Sequence, residues 1–260
     1  MSQLARVSRE RHAGKRWRRL THYGFAATQA VAPLVGAELV KAAPALPTGF
    51  LDLSGRFVLV ALLSPISGRN LFVGPDGRWL ARYVPATFRS WPFLLIRQEE
   101  AERAVLCVDE ANGLAGADGA GEDFFDPAGN PSSAVKGVLE FLTAVEAQRT
   151  ATDLAIAALA AAKVIRPWEI TLKTGEQTSP VQGLHRVDEA ALNALSDEAF
   201  VNLRKAGTLP MAYAQLLSMH QLPLLERLAQ MQQHLTQTAY GQLPEELPFD
   251  PDAWKRLRLD

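Results

Sequence analysis

The sequence holds a single cysteine, Cys107, among its 260 residues. One cysteine excludes an intramolecular disulfide and a cysteine-based zinc site. It stands in the apolar run AVLCVDE, which predicts a buried strand. We therefore interpret the thiol as a packed core side chain and not as a nucleophile.

Long apolar runs are also lacking. The longest uncharged one, LAIAALAAA at 154–162, is much shorter than the roughly 20 residues that cross a bilayer. Near the start, basic residues precede GFAATQAVAPLVGA, in the order of a signal peptide, but Gln29 and Pro33 interrupt the apolar stretch. We expect no transmembrane segment and no cleaved leader. The expected location is cytoplasmic, with the cell surface as the alternative.

A strong net charge is missing as well. The formal charge is −1, so no global field favours nucleic acid or an anionic membrane, and we predict no nucleic-acid partner. The distribution is uneven, because residues 1–19 contain seven basic residues and one acidic residue, Glu10. We predict a basic N-terminal arm over 1–20. A solvated leader is the simplest interpretation, and an arm that binds phosphate or an acidic partner is the alternative.

Common catalytic and ligand-binding motifs are not found. The sequence has no Gly-x-Gly-x-x-Gly, Walker loop, His-Glu-x-x-His or Gly-x-Ser-x-Gly. No two of the five histidines are spaced three or four residues apart, and the acidic loop at 118–126 lacks the ligand order of an EF-hand. These absences argue against nucleotide-binding enzymes and common hydrolases. We predict no cofactor and no metal.

The first half of the chain has the pattern of an antiparallel sheet. RFVLVALL, FLLIRQ and RAVLCVDE read as strands, and NLFVGPDGRWLARY reads as a hairpin around Gly-Pro-Asp-Gly. A short helix is predicted at 33–43, between Pro33 and Pro44.

The second half is mostly helical in pattern. Apolar residues recur at helical spacing from Ser132 onward, with a break predicted near 150–152. After Pro167 a strand–turn–strand precedes short helices capped by Asp188 and Ser196. We predict an α+β fold: an N-terminal, mainly antiparallel sheet with a hairpin, and a mainly helical C-terminal half packed on it. The predicted single domain spans 21–235, and a tail follows at 236–260.

The stretch YVPATFRSWPF is unusual because aromatic residues, two prolines and an arginine lie close together. Pro85 and Pro92 cannot donate to a ladder, so the stretch is not a central strand, and ATFRS predicts one helical turn. We interpret it as a structural corner, with a ligand box as the alternative. Arg89 would pair with a carboxylate such as Asp109 or Glu110, or hold an acidic ligand.

Five residues form the predicted binding site: Arg89, Trp91, Asp109, Glu110 and His185. They combine a cationic group, an aromatic face and carboxylates at strand ends, where open clefts form. The alternative is an enzyme with an acid–base site in which His185 works with Asp109 or Glu110.

Several segments in the same order resemble the bacterial SapC family, described by its link to paracrystalline surface layers. They are HYGFAATQAVAPLVGAELVKAAPALPTGF, YVPATFRSWPF, CVDEANGLAG, GEDFFDPAGNPSSAVKGVLEFL, PWEI and GLHRVDEAALNALSDEAFVNLRKAGTLPMAYAQLLSM. The last segment is the most specific. His185 departs from the family pattern, which often has a small aromatic residue after Gly-Leu.

The resemblance implies an accessory or binding protein with a protein or peptide partner. It supplies no catalytic residues. Family members tend to occur beside outer-membrane receptors and halogenase-like flavoproteins, so the resemblance implies roles in surface layers, uptake or peptide tailoring. A structural subunit of a surface lattice is a third hypothesis. The oligomeric state is left open.

Overall fold

The structure is a computed structural model that describes residues 3–97, 104–114, 120–174 and 177–241. Its strands are β1 Leu4–Arg6, β2 Arg16–Trp17, β3 Val31–Pro33, β4 Thr48–Leu53, β5 Arg56–Leu62, β6 Phe93–Arg97, β7 Ala104–Asp109, β8 Glu122–Asp123, β9 Ile165–Pro167, β10 Ile170–Thr174, β11 Gln177–Val181 and β12 Leu184–Val187. The helices are α1 Arg9–His12, α2 Leu39–Ala42, α3 Ala86–Arg89, α4 Glu110–Gly113, α5 Ser133–Ala161, α6 Glu189–Asn193, α7 Asp197–Lys205, α8 Leu209–Ser218 and α9 Leu222–Gly241. Turns of 3-10 helix lie at Gly24–Ala26, Gly36–Glu38 and Met219–Gln221. The predicted α+β class is confirmed.

The largest sheet is antiparallel, with the strand order β3-β5-β4-β12-β9. β5 is the buried strand predicted from RFVLVALL, and Leu59 and Ala61 on it are fully buried. β9 and β12 come from the second half of the chain, so the sheet joins both halves. Gly49 permits the close approach of β4 to β12, because a Cβ there would lie 2.9 Å from the carbonyl oxygen of His185.

A second antiparallel sheet has the order β1-β7-β6, and a two-stranded ribbon pairs β2 with β8. Residues 3–20 are therefore packed on the body, which differs from the expected solvated leader. Trp17 of β2 is only 2% exposed and meets Phe93 edge-on, with ring centroids 4.7 Å apart. Burial of this apolar ring gives the basic segment a fixed place despite its charge.

Helix α5 spans two hydrophobic clusters. Val135 and Leu142, near its start, belong to the smaller cluster around Trp17, and Ile156 and Leu159 belong to the larger one. The predicted break near 150–152 is wrong, because α5 is continuous over 29 residues.

Thr152 explains how a polar residue is accommodated at that point of α5. Its hydroxyl donates to the carbonyl oxygen of Gln148, 2.7 Å away, and accepts from the N–H of Gly36 at 2.8 Å. The threonine is thus satisfied without interrupting the helix.

The proline-bracketed stretch also connects the two clusters. α3 is the predicted helical turn, and Phe88 on it packs in the larger cluster. Phe93, at the start of β6, packs in the smaller one. The interpretation as a corner inside the packed body agrees with this arrangement.

Of the other local predictions, the helix caps are confirmed and the hairpin is not formed as predicted. The caps are confirmed: Asp188 accepts from the N–H of Ala191, and Ser196 accepts from that of Ala199. The hairpin at 70–83 is reduced to one isolated bridge between Val73 and Trp79, outside any named strand.

Two predicted boundaries also differ. The helix predicted at 33–43 is shorter, since Val31–Pro33 is strand and α2 begins at Leu39. α9 continues to Gly241, past the predicted start of the tail, and residues 242–260 of that tail lie outside the described residues. Among the helices in the described ranges, none combines the length and apolar character needed to span a membrane.

Candidate functional site

His185 lies apart from the two carboxylates with which it was expected to work. It belongs to β12 in the largest sheet, where its Nδ1 is 3.3 Å from the carbonyl oxygen of Gly183 and its ring meets Phe57 at 4.9 Å. Asp109 is the last residue of β7, in the second sheet, and Glu110 begins α4 directly after it. Within the described ranges, no hydrogen bond or ion pair joins His185 to either of them.

Asp109 holds backbone in place. It is fully buried and caps α4, accepting from the N–H of Ala111 at 3.1 Å. The same oxygen accepts from the N–H of Gln3 at 2.9 Å, which fixes the start of β1, and the other oxygen accepts from the Asn112 amide at 3.0 Å. These bonds give the carboxylate a structural explanation.

Glu110 is the centre of a cluster of basic residues. Arg11 binds both of its carboxylate oxygens, Lys15 lies 3.1 Å from Oε1, and Nε2 of the buried His12 lies 3.4 Å from the same oxygen. The hydrogen bonds from Arg11, reinforced by Lys15 and opposed by burial, lower the pKa of Glu110 to about 2. Burial lowers the pKa of His12, which favours its neutral form. The negative charge of Glu110 is therefore neutralised by basic residues of the same chain.

Trp91 faces another aromatic ring. Its indole stacks on Phe25, with centroids 4.8 Å apart and planes 7° from parallel. Trp91 does not line the cleft beside Arg89. The aromatic face expected next to the arginine is supplied by other residues.

Arg89 stands at the end of α3, against two aromatic rings. Its guanidinium carbon lies 5.0 Å from the ring centroid of Phe141 on α5 and 5.5 Å from that of Tyr83. One terminal nitrogen donates to the Tyr83 hydroxyl at 3.2 Å. In the part of the chain that the structure describes, no carboxylate pairs with Arg89, so the expected pairing with Asp109 or Glu110 is wrong.

Tyr83 is in turn held by the buried carboxylate of Glu38, which is 7% exposed. Glu38 Oε1 accepts from the Tyr83 hydroxyl at 2.6 Å and from the N–H of Ala86 at 2.7 Å, and Oε2 accepts from the N–H of Val35 at 2.9 Å. Burial and the bond to Glu38 raise the pKa of Tyr83, so its hydroxyl stays protonated. The result is a fixed chain of contacts from Glu38 through Tyr83 to Arg89.

Arg89 borders a surface cleft of about 370 Å³ between α3 and the first turns of α5, which we call the Arg89 cleft. This volume is at the lower end of the range for ligand sites, about 300–1,000 Å³. Its walls combine arginines, hydroxyl groups, an aromatic ring and open space above a glycine. The lining residues are Arg19, Arg89, Ser90, Ser133, Ala134, Gly137, Val138 and Phe141.

Three other cavities are weaker candidates for an anion site, because each is either small or lies beside an arginine that already has a partner. The cavity beside Glu38 has only about 150 Å³. A cleft of about 540 Å³ lies beside Arg56, which pairs with Asp153 at 2.6 Å. Another of about 430 Å³ lies beside Arg69, which donates to Gln232 at 2.9 Å. The Arg89 cleft joins an arginine that has no acidic partner in the described ranges to an aromatic face.

Metal chemistry finds no ready site in the described ranges. No group of three or more His, Cys, Asp or Glu side chains there converges on one point. The Arg89 cleft instead suits a negatively charged group, because a guanidinium offers several N–H donors in one plane.

Of the residues that form this cleft, the sequence pointed to Arg89 alone. Tyr83 was within reach, since it opens the same aromatic stretch. Phe141 carried no signal, because an aromatic residue on an amphipathic helix is first of all a core residue. Glu38 and Arg19 belong to segments that are far from Arg89 in the sequence.

Comparison with known proteins identifies a protein family. The model of the SapC family matches residues 7–225. No curated protein and no solved structure matches the chain. The matched span includes the corner stretch, the Arg89 cleft and most of both sheets. The chain belongs to the SapC family.

Proposed function

We propose that this protein is a non-catalytic accessory protein that binds an acidic segment of a protein or peptide in the Arg89 cleft. The observation that carries the proposal is the guanidinium of Arg89, which lies against two aromatic rings at the cleft and has no acidic partner in the described ranges. A carboxylate brought to it would form a charge-assisted, two-point hydrogen bond.

Prior fixation of Arg89 supports binding. An arginine that is free in solution loses rotamer entropy when it captures a ligand. Here Tyr83 restrains it by a 3.2 Å hydrogen bond, and Tyr83 is itself tied to buried Glu38. The ligand therefore meets a cation that is already oriented.

The rest of the cleft suits a peptide side chain. Phe141 and Val138 provide an apolar wall for the aliphatic part of a Glu or Asp residue. Ser133 and Ala134 belong to the first turn of α5, and the field of a helix favours negative charge at that end. A short acidic segment uses both properties.

The family supplies the setting of the proposal and not its chemistry. Roles in a surface layer, in uptake or in peptide tailoring stay predictions from the resemblance. A cytoplasmic location, with the cell surface as the alternative, also stays a prediction, which cell fractionation tests. The acid–base alternative has no supporting contact among the described residues, where the side chain of His185 contacts Gly183 and Phe57.

The test is direct titration with a fluorescein-labelled Gly-Ser peptide that carries glutamates, read by fluorescence anisotropy at low salt. The control peptide has glutamine in place of each glutamate. Arg89→Ala should weaken binding about tenfold or more, since it removes a charge-assisted bond. Arg89→Lys should recover only part of the affinity, because an ammonium lacks the planar fork.

The matched control variant is Arg82→Ala. Arg82 is also exposed, lies seven residues earlier and makes no hydrogen bond or ion pair with the described residues. It removes the same charge from a nearby position in the sequence. The proposal is wrong if the two alanine variants bind the acidic peptide equally well, or if the glutamine peptide binds as tightly as the glutamate peptide.

A further inference from the structure

We infer that Arg19 is a second anion contact of the Arg89 cleft and that Glu122 occupies it as a built-in competitor. The preferred ligand is then a peptide segment with two carboxylates, one for each arginine. This inference rests on the proposed function and adds the ligand's charge pattern and the way in which the site is restrained.

Arg19 belongs to the wall of the cleft although it comes from the basic N-terminal segment. It lines the same space as Arg89 and Phe141. Its guanidinium carbon lies 5.6 Å from the ring centroid of Trp17, which is buried in the smaller cluster. The charged end of Arg19 therefore lies against a buried ring at the wall of the cleft.

Glu122 holds that charged end. Nε of Arg19 donates to Oε1 of Glu122 at 2.6 Å, and a terminal nitrogen donates to Oε2 at 3.3 Å. The pair is open to water, with the arginine side chain 68% exposed and the glutamate 37%. A carboxylate in the chain thus occupies the position that a ligand carboxylate would take.

The exposure of the Arg19–Glu122 pair determines whether a ligand carboxylate can displace Glu122. An exposed ion pair has little net strength, because each charge is well hydrated when separated. A ligand that is already bound through Arg89 places its second carboxylate beside Arg19 at high effective concentration. The second contact then displaces Glu122, and the chain loses only a weak bond.

The neighbouring ion pair provides a matched comparison. Arg16 and Asp123 stand opposite each other in the β2–β8 ribbon and pair at 2.8 Å, one residue from Trp17 and Glu122. Arg16 does not line the cleft. Asp123 and Glu122 thus carry equal charge at adjacent positions, but only Glu122 holds a residue of the Arg89 cleft.

The experiment titrates the full chain with two fluorescein-labelled Gly-Ser peptides, one with two glutamates and one with a single glutamate. Glu122→Gln should tighten binding of the two-glutamate peptide by about two- to fivefold, the range expected from release of an exposed pair. The single-glutamate peptide should change by less. Asp123→Asn should leave both affinities nearly unchanged, although it removes the same formal charge.

Arg19→Ala and the double variant Arg19→Ala/Glu122→Gln complete the cycle. Arg19→Ala should weaken the two-glutamate peptide, and in its presence Glu122→Gln should have no further effect. Thermal unfolding of each variant verifies that the ribbon is retained. An equal gain from Glu122→Gln and Asp123→Asn, or a gain that survives Arg19→Ala, overturns the inference.

Failure of this inference is distinguishable from failure of the proposed function. If wild-type binding depends on Arg89 but Glu122→Gln changes nothing, the cleft stands and the role of Glu122 falls. If Arg89→Ala binds as the wild type does, both fall.

Discussion

Arg11 and Arg89 are both solvent-exposed arginines, yet their surroundings are opposite. Arg11 binds a nearly buried carboxylate, Glu110, which Lys15 also contacts. Arg89 contacts two aromatic rings and a phenol hydroxyl, and within the described ranges it has no carboxylate partner. The first arginine stabilises the chain, and the second presents a cation to the solvent.

The same residue type thus has a structural role at Arg11 and, in our proposal, a role in recognition at Arg89. At Glu110 the carboxylate belongs to the chain, so it pairs with Arg11 and Lys15 and holds the N-terminal segment. At Arg89 the direct contacts within the described ranges are two aromatic rings and a phenol hydroxyl, which orient the guanidinium. Clustered basic residues are therefore a poor guide to a binding site, since acidic residues from distant segments can neutralise them.

The largest expected effect comes from removing the support behind Arg89. Glu38→Ala leaves three buried donors without an acceptor, so we expect the free energy of unfolding to fall by roughly 2–4 kcal/mol. Urea denaturation at neutral pH measures it. Peptide binding should weaken in the same variant below the unfolding transition, because Tyr83 no longer restrains Arg89.

Tyr83→Phe serves as its milder counterpart, because the ring stays under Arg89 and only the hydroxyl is lost. It should lower stability less than Glu38→Ala and still weaken binding. The link from Glu38 to Arg89 is refuted if Glu38→Ala destabilises the protein while the remaining folded molecules bind the acidic peptide at full strength.

A smaller effect is expected at the neutralised site. Glu110→Gln should lower the free energy of unfolding by about 1.5–3 kcal/mol at pH 7, since it weakens hydrogen bonds to a charged group. Glu110 has a pKa of about 2 in the folded protein, below its ordinary value of 4.5. Its contribution is complete above pH 4.5 and is lost as the pH falls from 4.5 towards 2.

Acid titration of the unfolding free energy checks that sign, because the slope over this pH window should flatten in Glu110→Gln. Glu10→Gln is the matched control, since Glu10 is exposed and makes no hydrogen bond or ion pair with the described residues. Peptide binding at the Arg89 cleft should be unaffected by either change at neutral pH. An unchanged acid slope in Glu110→Gln would contradict the assignment.

The smallest effect concerns the cleft surface. A Cβ at Gly137 would meet nothing within 4 Å, so the position tolerates a side chain that projects into open space. Gly137→Ala should raise the free energy of unfolding by about 0.5–1 kcal/mol, the helical penalty of glycine. Gly137→Leu should remain folded and bind the acidic peptide more weakly than Gly137→Ala does. Equal affinity of the two variants would place the ligand elsewhere.

Features set by neighbouring residues could be predicted from the sequence. The apolar run RFVLVALL predicted β5, the side-chain oxygens of Asp188 and Ser196 predicted two helix starts, and ATFRS predicted the turn at α3. Each depends on contacts within a few residues, where backbone hydrogen bonding and side-chain type decide the outcome.

Features set by distant pairing could not be read in this way. β12 joins β4 in one sheet, and β1 pairs with β7, more than a hundred residues away. Arg89 was identified by its chemical type, but its ring partner Phe141 and the buried Glu38 are brought to it by the tertiary fold. A single sequence records neither pairing, because residues that meet only after folding leave no periodic signal between them.

β1 lies just outside the span of the family model, which begins at residue 7, although it completes the sheet that contains β7. Cloning only the matched span would strip that strand and leave the amides of β7 bare. An unpaired edge strand can pair with strands of other molecules, so the shortened protein should aggregate under conditions in which the longer one does not.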